Sequence, residues 1–332
     1  MKNVKLSVLD EALILQGFSI KDSFERSVTD ALYIEELGYE RVWFAEHHNM
    51  AYIASSATSL LIGHIAGKTN RIRVGAGGIM LPNHAPLLVA EQFGTLDTLY
   101  PNRIDLGVGR APGADQITTM ALRRNNPNTA AYFKEDIISI QKYFRNTDPS
   151  ATPRAFPGEG ANVPFYILGA SINSAMLAAE LGLPYVFAAH FAPGMLREAA
   201  QVYKKAFKPS VYAQTPYLIV CVNVIAAESN QEAFYLSSSL FNLFAGVVIN
   251  EPYLLSPPTD QLIYDGKPQI EAAVKQMTAG TFIGDQETIA REISSFVELH
   301  QIDEIMMTNY IFDHAKKLKA FKISIDAVAH LP

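Results

Sequence analysis

Residues 43–50 read WFAEHHNM, which sets Glu46, His47 and His48 side by side behind an apolar run. A carboxylate beside two imidazoles suits three tasks: holding a metal ion, moving protons, or forming a polar rim. Neighbouring residues in an extended chain point to opposite faces, so His47 and His48 are poorly set to share one ion. The sequence contains no H-x-x-x-H, no H-x-H and no cysteine cluster, so no metal site is expected. Acid–base work, for which an imidazole with an ordinary pKa of about 6.5 can accept and return a proton near neutrality, and a satisfied polar rim both stay open.

Three further clusters fall at the ends of apolar runs. Gly77-Gly78 lies in IRVGAGGIML, Arg110 follows DLGVG, and Gly169-Ala170-Ser171 leads into the helical pattern INSAMLAAELG. Two adjacent glycines remove side-chain bulk, which permits a bulge, or a flat ligand lying against bare backbone. Gly169 allows a sharp turn from strand to helix, and the free amides and dipole at a helix start favour an anion. Ser171 and Ser174 share one side of that first turn, with ordinary N-capping by Ser171 or Asn173 as the competing use. Arg110 reads as a surface residue or as a charged contact to the same phosphate. GAGGIM lacks the third glycine of a dinucleotide fingerprint, GVGRAPG carries its last glycine one place late, and no GxxxxGK[ST] occurs. Nicotinamide and P-loop readings therefore fail on geometry. A planar cofactor with a phosphate tail would unite the three clusters.

Such clusters need strands to present them. Apolar runs at 4–9, 41–45, 72–81, 103–109, 165–169, 185–189, 217–227 and 304–309 alternate with helical patterns. Strict alternation predicts a parallel sheet, and eight units predict closure into a (β/α)8 TIM barrel with its chemistry at the carboxyl ends of the strands. Ser19 and Asp22 form a capping-box pattern before the first helix, and Gly38 supplies its stop. Pro252, Pro257, Pro258 and Pro268 break the alternation at 246–280. That insertion is expected to act as a lid. No composition shift marks a boundary, so residues 1–332 are expected to form one barrel domain.

The formal charge is −6 and the basic residues are scattered, which argues against a nucleic-acid partner. No run of about 18 apolar residues and no signal-like N-terminus is seen, so a cytoplasmic protein without membrane contact is expected. The single cysteine, Cys221, cannot form an intrachain disulfide and reads as a small buried hydrophobe.

The segments RVWFAEHH, RVGAGGIMLPNHAPLLVAEQFGTLDTLYPNRIDLGVGRAPG, YILGASINSAMLAAELGLPYVFAAHF, GTFIGD and DEIMMT together resemble the bacterial luciferase-like flavin-dependent monooxygenases, in the family's order and over most of 4–310. The version here is similar to the single-subunit branch rather than to a light-emitting subunit. The resemblance implies a TIM barrel that takes reduced FMN from a separate NAD(P)H-dependent flavin reductase. It implies reaction of that flavin with O2 to a C4a-hydroperoxide and oxygenation of a small organic substrate, such as a carbonyl compound. It implies a homodimer. By position, Gly77-Gly78 match a pair that often forms a cis peptide beside the flavin ring. Arg110, Gly169, Ala170, Ser171 and Ser174 fall in the phosphate-holding region, and His47, flanked by Glu46 and His48, matches a histidine implicated in catalysis. Glu91 matches a family carboxylate with a structural role. Gly109 stands where the light-emitting subunit carries a reactive cysteine, which argues against bioluminescence. A deazaflavin-dependent hydride transferase and a non-catalytic flavin-binding protein are the alternative readings.

Overall fold

The computed structural model describes residues 4–123, 127–251 and 253–329. Its strands are β1 (Lys5–Asp10), β2 (Arg41–Phe44), β3 (Arg73–Met80), β4 (Ile104–Gly109), β5 (Phe165–Gly169), β6 (Tyr185–Ala188), β7 (Leu218–Ala226), β8 (Thr281–Gly284) and β9 (Glu304–Thr308). Every pairing is parallel. Strands β1 to β7 pair in sequence order, and β9 bridges β7 and β1, which closes the ring. Eight strands thus make the barrel, as the alternation predicts. Strand β8 pairs with the far end of β7 alone, from Asn223↔Thr281 onward. It lies past the closed part of the ring, and its apolar pattern in TFIG is too short to stand out in the sequence.

The helices are α1 (Ile20–Leu37), α2 (Thr58–Ala66), α3 (Pro86–Leu99), α4 (Gln116–Leu122), α5 (Phe133–Arg145), α6 (Ile172–Leu181), α7 (Leu196–Ala206), α8 (Asn230–Val248), α9 (Pro268–Met277), α10 (Gln286–His300) and α11 (His314–Ala329). Helix α1 opens on the Ser19–Asp22 capping box and ends at Gly38 in the left-handed region, φ 83°. Glu91 is half-buried in α3, and its backbone carbonyl accepts a hydrogen bond from the Thr95 hydroxyl at 2.7 Å. Short α4, capped by Asp115, has no counterpart in the sequence-based reading, because it buries no residue and so lacks an apolar stripe.

Strand alternation splits the core in two. Val42 and Phe44 point outward into the large shell between strands and helices. Trp43, Leu9, Tyr166, Val186, Ile219, Cys221 and Met306 point inward and form a separate interior cluster. Toward the amino ends of the strands the interior is charged. Arg41 donates to Glu304 at 2.8 and 3.1 Å, to Asp105 at 2.7 Å and to the Tyr166 hydroxyl at 2.8 Å. This layer fills the barrel interior toward the amino ends, and the cavity described below opens at the carboxyl ends.

The segment 246–280, expected to act as a lid, does not cover the cavity described below. Ser238 and Asn242 of α8 accept from the amides of Thr259 and Ile263, and Tyr235 donates to the Pro258 carbonyl. These bonds fasten the segment along α8, where α9 also packs, and none of its described residues reaches the cavity below. Pro252 lies outside the described residues.

Candidate active site

A cavity of about 370 Å3 opens at the carboxyl ends of the strands. Leu9, Leu168, Val186, Cys221 and Met306 give it apolar walls. Gly77 adds bare backbone. The Gly77–Gly78 peptide is cis, and the β3–β4 register shifts between Gly77 and Ile79. The pair therefore lies within β3, two residues short of its end. A Cβ on Gly77 would come within 2.6 Å of Leu9 Cδ1, and one on Gly78 within 2.7 Å of the Gly107 carbonyl oxygen. Neither position has room for a side chain. Gly78 itself does not line the cavity.

Of the three residues on the opening peptide, His47 alone lines the cavity. The chain leaves β2 at Phe44, so strand alternation no longer governs residues 45–50. Glu46 turns inward and is 1% exposed. Its Oε1 lies 3.0 Å from His48 Nε2 and 2.9 Å from His84 Nε2, and its Oε2 accepts from the Met80 amide at 3.1 Å. Glu46 and His48 are thus a bracket tying the β2 loop to the end of β3, not groups facing a reactant. Asn83, in the short turn Leu81–Asn83, and His84, just after it, were not legible as part of this cluster.

Burial pushes the Glu46 carboxyl up, but the hydrogen bonds from His48, His84 and Met80, with the charge of His84, hold it down at about 2. A depressed carboxylate adds stability that is complete above its unfolded pKa, about 4.3, and fades as pH falls toward 2. Glu46→Gln is therefore expected to lower the urea midpoint at pH 7 and to flatten its decline between about pH 4.5 and 2. A parallel decline in both proteins would remove Glu46 as the cause.

Another part of the rim is formed by the start of α6 and the end of β4. Ser171 caps α6 and accepts from the Ser174 amide at 3.2 Å, completing a capping box. Ser174 Oγ donates to the Ser171 carbonyl at 2.7 Å and sits 2.9 Å from the Tyr185 hydroxyl. Ser171 remains exposed while capping, and its hydroxyl lies 3.2 Å from Ser174 Oγ. A Cβ on Gly169 would fall 2.3 Å from Ser174 Oγ, so only glycine lets β5 meet α6 this closely. Gly169, Ala170, Ser171, Ser174 and Arg110 all line the same cavity as His47. Arg110 is exposed and forms no ion pair with any described residue. Gly109 is buried beneath it, with Met80 Cε 2.8 Å from where a Cβ would stand.

Two cavity residues escaped the sequence-based reading. Glu11 directly follows β1, and His190 follows β6. Both obey the carboxyl-end rule, but each is a lone polar residue rather than a cluster. Burial and the nearby His47 push the His190 imidazole down to about 3. Burial likewise lowers His47, against opposing pulls from the Gly113 backbone and Glu46. Both rings are therefore neutral at pH 7, and the Nδ1 atom of each is buried without a partner among the described residues. Cys221 is buried, as expected, and its thiol is pushed well up by burial. No group of three potential metal ligands occurs among the described residues.

The profile of the family described as luciferase-like monooxygenase matches residues 9–300. The chain belongs to that family. A luciferase-like monooxygenase of Escherichia coli K12 is 44% identical over 330 residues, covering 99% of this chain and 98% of its own. The N-acetyl-S-alkylcysteine monooxygenase of Bacillus subtilis 168 is 31% identical over 349 residues, covering 98% of each. Among solved structures, apo-MsnO8 superposes with a TM-score of 0.87 at 29% identity over 99% of both chains. At 17% identity and 99% coverage of both chains the fold alone is shared. One such neighbour is the oxygenating constituent of 3,6-diketocamphane monooxygenase in complex with FMN, TM-score 0.77. Another is an F420-dependent secondary alcohol dehydrogenase, TM-score 0.73. Among the described residues, no helix is long and apolar enough to cross a membrane.

Proposed function

We propose that the protein is an FMN-dependent monooxygenase, supplied with reduced flavin by a separate reductase, which oxygenates a small organic substrate. The observation that carries this reading is one cavity with three features: an anion seat at α6 and Arg110, bare backbone at Gly77, and a neutral imidazole at His47. The residues fit the cofactor. Ser171, Ser174 and Arg110 would hold the phosphate, Gly77 would lie against the ring, and the glycine contacts leave these surfaces free of side chains. Reduced FMN, when bound, supplies the two electrons with which O2 is split between substrate and water. His47, neutral at pH 7, accepts a proton and returns it at the ring edge. The apolar walls exclude water from that edge. The named monooxygenases at 31% and 44% identity support oxygenation over deazaflavin hydride transfer.

The test supplies chemically reduced FMN, or a reduced deazaflavin, to the purified chain with candidate thioethers, carbonyl compounds and amines. FMN with O2 is expected to give oxygenated product, and the deazaflavin none. Product formed anaerobically from the deazaflavin would overturn the reading. In the same assay Ser171→Asp is expected to weaken FMN binding at least about tenfold, because a carboxylate would face the phosphate at close range.

A further inference from the structure

We propose that Glu11, on the rim away from the phosphate seat, recognises a cationic group, a protonated amine, on the organic substrate. The proposal rests on the preceding reading only in taking the rim of β4 and β5 as the flavin end of the cavity.

In the ring, β1 lies between β9 and β2, four strands from β5 in either direction. Arg110 and the start of α6 therefore stand on one side of the cavity and Glu11 on the other. Among the lining residues Glu11 is the one carboxylate and Arg110 the one permanent cation. The cavity is thus polarised, with an anion seat at one end and an acid at the other.

The Glu11 carboxyl lacks a counterion. Tyr310 donates to its Oε2 at 2.7 Å, and no ion pair to it forms among the described residues. Lys317 on α11 is the cation that acts on it, and Asp30 holds that ammonium at 2.7 Å. The other titratable groups around it are Asp10 on β1, Tyr52 in the β2 loop, Cys221 on β7 and Tyr310 after β9. None of these carries a positive charge. His47 and His190 line the same cavity as neutral rings.

A carboxylate facing apolar walls without a cation is costly, and either a proton or a ligand's charge relieves it. In the protein alone the proton does so. Burial raises Glu11 to about 7, against the Tyr310 hydrogen bond and Lys317, with Asp10 adding to the rise. An ammonium at hydrogen-bond distance would displace that proton and supply the missing charge. The apolar body of the ligand would then lie along Leu9, Cys221 and Met306, directed toward Gly77 and His47.

The experiment titrates heptylammonium and 1-heptanol into the full chain in the presence of oxidised FMN, by calorimetry between pH 5.5 and 8.5. Heptylammonium resembles a lysine side chain, with a pKa of about 10.4, and stays charged throughout. At pH 8 it is expected to bind at least about tenfold more tightly than the alcohol. Its affinity should rise with pH up to about 7, level off above, and release a proton on binding below that pH. The alcohol should show neither effect. Glu11→Gln should abolish the preference. Tyr310→Phe should keep the preference and shift its pH dependence upward, because the lost hydrogen bond had favoured the carboxylate. A preference unchanged in Glu11→Gln, or absent from the parent, overturns the proposal. FMN titration of the same proteins reads the phosphate seat separately, so failure there is distinguishable from failure at Glu11.

Discussion

Replacing Arg41 with methionine is expected to cost about 3–5 kcal/mol of stability. The side chain is 3% exposed, and Asp105 and Glu304 are each fully buried. Both carboxylates have other partners. Asp105 accepts from Trp43 at 3.0 Å and Arg73 at 2.9 Å, and Glu304 accepts from Tyr217 at 2.7 Å and from Ser7. Trp43, Tyr217 and Ser7 are neutral donors, so loss of Arg41 removes the charge that balances Glu304. An uncompensated buried carboxylate is the expensive outcome, and methionine's bulk does nothing to reduce it. Urea unfolding followed by far-ultraviolet circular dichroism measures the effect. Lys275→Met, which breaks the exposed i,i+4 pair with Glu271, serves as the control and should change stability by less than about 0.5 kcal/mol. Equal effects from the two substitutions would mean that the charged layer is not a determinant of stability.

Substituting His47 with alanine is expected to reduce oxygenation by about 100-fold or more, the usual scale for losing a positioned proton-transfer group. FMN affinity should stay within about twofold, because the proposed phosphate seat lies at β4, β5 and α6 and not on the β2 loop. The pH profile separates a proton-transfer role from a spacing role. Burial lowers the imidazole pKa, so the acid limb of the parent's rate profile should fall below the ordinary value of about 6.5. His47→Asn keeps a neutral polar group of similar reach, but it should lose this limb along with the rate. Full turnover by either variant would exclude His47 from the reaction. The two substitutions are independent, since one acts in the amino-end layer and the other at the carboxyl-end rim.

Periodicity and punctuation were enough to anticipate the barrel. Eight apolar runs, each followed by a helical pattern, imply a parallel sheet buried on both faces, and that number of units favours a closed ring over an open doubly wound sheet; the capping residues Ser19, Gly38 and Ser171 act within a few residues of themselves. The Gly77-Gly78 pair and the Gly-Ala-Ser turn were legible for the same reason: glycine and a cap residue constrain the backbone locally.

What the sequence by itself determined, then, was what spacing along the chain sets: the eight strand–helix units of the barrel and their capping residues, though neither short α4 nor β8. The tertiary structure decided which polar side chains face the cavity and which are satisfied elsewhere. Glu46 and His47 are adjacent in sequence, yet one is locked by His48, His84 and the Met80 amide while the other borders the cavity. Arg41, Asp105 and Glu304 lie on three separate strands and neutralise one another only once the ring is closed. Burial raises the Glu11 pKa, against a hydrogen bond from Tyr310, which follows β9, and the charge of Lys317 on α11, with neighbouring Asp10 adding to the rise. A side chain's charge state and exposure depend on neighbours brought from far along the chain, and no local pattern encodes them.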